Sequence, residues 1–258
     1  MYADLNGKIV AVSGGSRGIG AAIVKRFLSE GSTVYNMDVV EPAQNTNSEF
    51  IKCDVSSEND VMNAFNEIYK NHEAVDILIN NAGIEKYYFA HTTPVDIWDK
   101  IIGVNLKGAY LLTKSAIPQM LKKKKGVLLY TASIQSLMSQ RKDAAYVTSK
   151  HALLGLARSV AIDYAPYLRA MAVCPGPIET PLQLRVAAEE VGNDPEKIKL
   201  KFQEWGNMTP MKRQGTPDEV ANVFAFLASS QASFITGTFI LVDGGMSSYI
   251  TESVPEDD

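Results

Sequence analysis

Tyr146 and Lys150 stand four residues apart in a stretch with a helical pattern, so both side chains project from one face. An ammonium beside a phenol favours the phenolate, and a phenolate is a base that can take a proton from a hydroxyl. Bringing a tyrosine from about 10 toward neutrality takes roughly three pH units, or about 4 kcal/mol, of differential stabilisation. A second segment with chemistry is the run 13–20, Ser-Gly-Gly-Ser-Arg-Gly-Ile-Gly, which lies between a strand pattern and a helical one. Gly14, Gly18 and Gly20 allow a tight turn there. The backbone of Ser16, Arg17, Gly18 and Ile19 can then approach a pyrophosphate seated on the helix N-terminus.

Asp38 ends the second strand pattern, 18 residues after Gly20. A carboxylate at that spacing accepts hydrogen bonds from the adenosine ribose hydroxyls and repels a 2′-phosphate. Arg17 pulls the other way, because a guanidinium in this loop pairs with such a phosphate. No Lys or Arg follows Asp38 directly, so the expected cofactor is NAD, with NADP as the alternative. Asp54 and Val55 follow the third strand pattern and are expected to line the adenine pocket; the alternative is an ordinary strand-end turn.

The elements that must position these groups are legible in the hydrophobic pattern. Strands are expected at 8–12, 33–38, 49–53, 75–80, 127–132, 169–174 and 239–242. Helices are expected at 19–29, from a Ser57 cap to 71, at 104–122, at 144–165, and from a Thr216-Pro-Asp-Glu capping box to 228. The strands are continuous apolar runs (IVAV, VDILI, VLLY, AMAV, FILV), which indicates burial on both faces and a parallel sheet between helices. The expected architecture is one doubly wound α/β domain of the Rossmann type over 1–258. About 40 residues separate the sixth strand from the Thr216 cap, far more than an ordinary connection. The pattern there predicts two small helices, 182–191 and 195–205, in a substrate lid over about 177–215. The tail 247–258 is read either as a solvated terminus or as a segment packing over a neighbouring subunit's lid.

Composition limits the function classes. Of 258 residues, 46% are hydrophobic and 21% charged, which is ordinary globular usage and excludes a disordered or fibrous chain. The net charge of −4 argues against a nucleic-acid partner, which needs a basic surface. The basic run 122–125 reads as solvated cations at a helix C-terminus. Cys53 and Cys174 sit in apolar runs and read as buried, inert thiols of a reducing compartment. The N-terminal residues lack the basic start and apolar core of a signal peptide, and no stretch approaches a membrane span. The expectation is a cytoplasmic protein with no membrane partner and no metal.

Several further motifs occur in a fixed order: Asn80-Asn81-Ala82-Gly83, Asn105, Ser133, the Tyr146/Lys150 pair and Pro175-Gly176. In that order the chain resembles the short-chain dehydrogenase/reductase family from about residue 7 to 245. Ser13 departs from the usual Thr, and either hydroxyl can hold the turn. The resemblance implies that Ser133 orients the reacting oxygen, Tyr146 is the acid/base, and Lys150 binds the nicotinamide ribose and lowers the Tyr146 pKa. It implies that Asn105 holds a water in the proton relay. It also places Asn81, Ala82 and Gly83 beneath the adenosine ribose and Ile178 and Thr180 at the carboxamide, with Pro175 and Gly176 before them. Tyr130 and Tyr164 match nothing and read as core or surface.

Within the family, Gly83-Ile84-Glu85, Ser149-Lys150-His151-Ala152, the run 177–182 and the lid segments 190–195 and 204–206 resemble sugar dehydrogenases, the aldohexose dehydrogenases of archaea in particular. That resemblance implies oxidation of an aldohexose at its anomeric hydroxyl to the lactone, with hydride passing to NAD, in a homotetramer. Glu85 lies two residues beyond Gly83 and is expected to accept from a sugar hydroxyl; otherwise it pairs with Lys86 or faces water. The rival readings are an NADP-dependent ketone or 3-oxoacyl reductase and a catalytically silent dinucleotide sensor.

Overall fold

The computed structural model describes residues 2–43 and 46–249. Strands β1 (Ile9–Ser13), β2 (Thr33–Asp38), β3 (Glu49–Lys52), β4 (Ile77–Asn80), β5 (Gly126–Thr131), β6 (Leu168–Pro175) and β7 (Phe239–Val242) form one sheet in the order β3-β2-β1-β4-β5-β6-β7. Every neighbouring pair is parallel. β2 and β7 have the limits expected from sequence, and the others lie within two residues of theirs. The sheet is buried on both faces, as the continuous apolar runs require.

Helices α1 (Gly18–Ser29) and α8 (Pro217–Ala228) cover one face, where Ile23, Phe27, Val220 and Phe224 pack on Val10 and Val12. The other face carries α2 (Glu58–Asn71), α4 (Gly108–Lys123) and α5 (Ala144–Asp163), with Phe65, Leu112 and Leu153 packed on Ala11, Leu78 and Leu128. The caps read from sequence are formed. Ser57 Oγ accepts from Asp60 N at 3.3 Å. Thr216 N donates to the Glu219 carboxylate at 2.8 Å while Thr216 Oγ1 accepts from Glu219 N at 3.3 Å. The basic run ends α4: Lys124 adopts φ 50° as the left-handed cap residue, and Lys123 pairs with Asp76 at 3.1 Å. Cys53 and Cys174 are buried and unpaired, and burial pushes their thiols up to about 12 and about 11.

One expected helix is wrong in extent. The stretch 104–122 is preceded by α3 (Val95–Ile102), and the two are joined by a π-helical turn, Gly103–Lys107, that has Asn105 at its centre. The insert after β6 does form two helices, α6 (Pro181–Val191) and α7 (Pro195–Asn207). Its two ends are fastened to each other. Ile178 and Gly215 form an isolated parallel bridge, Glu179 N donates to Gly215 O at 3.0 Å, and Gly215 N donates to Pro177 O at 3.0 Å. A Cβ on Gly215 would stand 2.7 Å from Ile178 Cδ1, so a larger residue in that neck would have to displace the end of the Ile178 side chain. Beyond β7 a short 3₁₀ turn, Met246–Ser248, is held by Ser247 N donating to Asp243 at 2.8 Å. Residues 250–258 of the tail lie outside the described residues. Among the described residues no helix is long and apolar enough to cross a membrane.

Candidate active site

β1 and β4 are neighbours from which the chain winds in opposite directions, and ligands of such sheets bind in the crevice beyond the strand ends. The glycine run fills that point. Gly14 and Gly18 have φ of 64° and 54°, a region that suits residues without a Cβ. A Cβ on Gly14 would stand 2.9 Å from Ala82 Cα, and one on Gly20 would collide with the Gly14 carbonyl oxygen. Ser13 Oγ accepts from Asn81 N at 3.0 Å and Ala82 N at 3.1 Å, so the serine hydroxyl holds the turn. Asn81 Nδ2 donates to the carbonyls of Ser13 (3.1 Å) and Gly14 (3.0 Å), and its Oδ1 accepts from Thr131 (3.1 Å). Asn81 thus ties the glycine turn to the ends of β4 and β5.

α1 begins without a side-chain cap, since Arg17 at the cap position supplies none. Its first-turn N–H groups are left for an anion. A tight turn that admits no Cβ, running into an uncapped helix start, fits the pyrophosphate of a nicotinamide dinucleotide. Asp38, at the end of β2, accepts from Ser16 N at 3.0 Å and Val40 N at 3.2 Å. The carboxylate therefore holds the glycine turn. Arg17 is exposed. Replacing Asp38 with Ala is expected to weaken both nucleotides by loosening the turn and to raise relative use of NADP. The check is the ratio of kcat/KM for NAD and NADP, and an unchanged ratio would remove Asp38 from the ribose.

Asp54 accepts from Ser56 N (2.9 Å) and Ser56 Oγ (2.7 Å) in a turn, and Val55 is buried in the core against Gly108. Ile178 is likewise buried, while Thr180 caps α6 by accepting from Gln183 N at 3.2 Å, with its Cβ 3.5 Å from where a Gly18 Cβ would be. Gly176 lies against Asp243, with its N–H on Val242 O at 3.0 Å. Tyr130 is core and shares a hydrogen bond of 2.9 Å with Thr113.

The catalytic candidates converge past the ends of β4 and β5. Ser133 is buried, accepts from Gln135 N at 3.1 Å and faces Tyr146. Lys150 donates to Thr131 O at 2.7 Å, and its Nζ is 5.3 Å from the centre of the Tyr146 ring. Gly83 brings the loop after β4 against it, since a Cβ there would be 3.4 Å from Lys150 Nζ. Asn105 Oδ1 accepts from Ile84 N at 2.8 Å, and its Nδ2 donates to Ile84 O (2.9 Å) and Ser149 Oγ (3.1 Å). Ser149 in turn donates to Tyr146 O at 2.7 Å. The Asn105 side chain therefore fixes the loop after β4 to the helix that carries Tyr146, and the π turn aims it there. Ser149 has no chemical motif of its own and was not anticipated.

Charge at two positions bears on the readings above. Lys150 stands beside the Tyr146 ring, yet the phenol as a whole is held above its ordinary value. Burial is the main cause, followed by the Glu85 charge, against which the Ser133 hydrogen bond works downward; the Asp143 and Tyr87 charges add to the rise. Burial also brings Lys150 down to about 8, against the Glu85 charge. Glu85, second, does not pair with Lys86, which reaches Glu189 on α6 at 3.3 Å. The half-buried Glu85 instead faces Asp143 and Tyr87. Neither neighbour was anticipated. Asp143 carries a signal, an acid three residues before Tyr146, but it reads as a helix cap.

Comparison with known proteins agrees with this geometry. The family model described as enoyl-(acyl carrier protein) reductase matches residues 14–247. The ligand-free aldohexose dehydrogenase of Thermoplasma acidophilum is 44% identical and superposes with a TM-score of 0.97, covering 99% of this chain and 100% of that one. A 2-(R)-hydroxypropyl-CoM dehydrogenase of Xanthobacter autotrophicus is 36% identical over 253 residues, 92% of this chain and 97% of its own. The 3-ketoacyl-(acyl-carrier-protein) reductase of Brucella melitensis, solved with NADH, is 32% identical with a TM-score of 0.82, covering 94% and 99%.

Proposed function

The chain belongs to the short-chain dehydrogenase/reductase family, and from that premise we propose that it oxidises the anomeric hydroxyl of an aldohexose to the lactone with NAD. The observation that carries this reading is the half-buried Glu85 carboxylate, close enough to Tyr146 and Lys150 for its charge to act on both. A site for a simple ketone or a thioester has no use for an acid there, because desolvating it is costly. A sugar has hydroxyls that donate to it, and charge-assisted bonds are roughly twice as strong as neutral ones. The 44% identity to an aldohexose dehydrogenase supports the same substrate class.

In this reading the glycine turn and the start of α1 hold the pyrophosphate, Asp38 the adenosine ribose, and Lys150 the nicotinamide ribose. The bound nicotinamide supplies the acceptor for the hydride that leaves C1. Ser133 orients the reacting oxygen and Tyr146 Oη takes its proton, while Asn105 holds the helix of Tyr146 in register and lies on the path by which the proton leaves. The exposed apolar side chains of Val95, Tyr110 and Ile162 on α3, α4 and α5 support a homotetramer. The compartment we propose is the cytoplasm.

An initial-rate panel of aldoses, simple alcohols and ketones with each nicotinamide cofactor tests the substrate class; preferred turnover of a 3-oxoacyl thioester with NADPH would replace it by the reductase reading. Glu85→Gln tests the residue. It is expected to retain fold and NAD affinity while kcat/KM for the best aldose falls tenfold or more, about 1.5–3 kcal/mol for a hydrogen bond to a charged group. The loss should differ between aldoses epimeric at C2, and equal, small losses for both would remove Glu85 from the site.

A further inference from the structure

The loop after β4 and the segment just before α5 meet through their backbones. Tyr88 N donates to Lys142 O at 2.6 Å, and Tyr88 and Asp143 form an isolated parallel bridge. Asp143 occupies the cap position of α5, where an aspartate ordinarily accepts from first-turn N–H groups, yet its side chain makes no capping bond. It is only 2% exposed, and neither carboxylate oxygen receives a hydrogen bond from any described residue. What faces it is another carboxyl group, that of Glu85, on the loop that the Tyr88–Asp143 bridge brings alongside. Two carboxylates in such contact repel unless a proton lies between them.

We propose that Asp143 is a positioning residue that holds one proton in common with Glu85, leaving the pair with a single negative charge and a fixed acceptor edge toward the reacting hydroxyl. What that edge binds rests on the aldose reading above; the shared proton does not. The groups that face the pair fit one charge better than two. Tyr87, on the same loop, faces Glu85, and Lys150 on α5 and Arg185 on α6 act on it as cations. Gln135, in the 3₁₀ turn after β5, faces Asp143, but its Nε2 donates to Gln140 at 2.9 Å. Tyr146 on α5 feels both carboxyls, Glu190 of α6 acts on Tyr87, and Lys142 lies over the Phe89 ring at 5.2 Å. Burial, then the Glu85 charge, pushes the Asp143 carboxyl up to about 9, and burial likewise raises Glu85.

The sign of the consequence follows. The folded chain keeps a proton that the unfolded chain gives up near pH 4. Stability from this proton is therefore complete below about pH 4 and is lost progressively as pH rises to about 9. Lys150, brought down to about 8, works with the opposite sign and mainly above that pH.

The test compares thermal melting of the wild type, Asp143→Asn and Glu85→Gln, without substrate, from pH 6 to 9. Asparagine donates to Glu85 through its amide and has no proton to lose. The wild type is expected to lose about 3–5 °C per pH unit relative to Asp143→Asn, the size for one proton in a domain of this length. Glu85→Gln should remove the same slope, and it decides the matter if Asp143→Asn does not fold. A melting difference between wild type and both variants that stays constant across this range would overturn the proposal. A second readout is the pH profile of kcat/KM for the best aldose, whose alkaline decline should be smaller in Asp143→Asn, because the second charge next to Tyr146 can no longer form and only the loss of the Lys150 charge remains. A lost melting slope with no aldose turned over would leave the shared proton standing and discard the substrate class. Aldose turnover with an unchanged slope would do the reverse.

Discussion

Tyr146→Phe is expected to fold and to bind NADH as the wild type does, and to turn over its substrate about 10²–10⁴-fold more slowly, the range of a general-base contribution. The variant removes one oxygen from a ring whose packing is unchanged. Lys150 keeps its bond to Thr131 O, and Asn105 and Ser149 still hold the helix through Tyr146 O, a backbone atom. Nothing that grips the nucleotide is touched, so the loss should appear in kcat, with the NADH dissociation constant held within a factor of about two. Initial rates beside an NADH fluorescence titration make the separation. More than half the wild-type rate in the Phe variant would withdraw the base from Tyr146.

Gly20→Ala is expected to weaken NADH binding tenfold or more. Two effects compete. Alanine is the better helix former by about 1 kcal/mol, and Gly20 lies in the first turn of α1. Against that, the new methyl would collide with the Gly14 carbonyl oxygen, and overpacking a closed contact costs about 1–3 kcal/mol. The carbonyl cannot retreat freely, because Asn81 Nδ2 holds it at 3.0 Å. The steric cost wins, and it falls on the turn that must cradle the pyrophosphate. An NADH titration gives the loss and a thermal melt reports how much of it is global. An NADH dissociation constant equal to that of the wild type would show that the cradle lies elsewhere.

The sheet was readable because five of its strands carry apolar runs, β2 (TVYNMD) and β3 (EFIK) being more mixed, and α2 and α8 because the residues before them are side-chain caps. The two-helix insert after β6 was readable as an over-long connection with a proline near each helix start. The π turn was not. Val104, Asn105 and Leu106 continue a helical pattern, and only the extra residue in the hydrogen-bond register separates α3 from α4. The Glu85–Asp143 pair was hidden for a different reason. Its members are 58 positions apart, and each reads alone as a loop acid and a helix cap. The direction of the Tyr146 pKa was also out of reach, since spacing reveals the Lys150 cation but not the burial and the two nearby acids that outweigh it.

The neck formed by Pro177, Ile178, Glu179 and Gly215 has an evolutionary consequence. The cost of closing a loop depends on bringing its ends together and rises only slowly with the length between them. With those ends already joined beneath it, the helical insert is a replaceable cartridge. Its sequence can drift, lengthen or be exchanged while β6, α8 and the nucleotide turn keep their places. On the function proposed above, substrate choice can therefore change in such a chain at little risk to the glycine turn and the sheet.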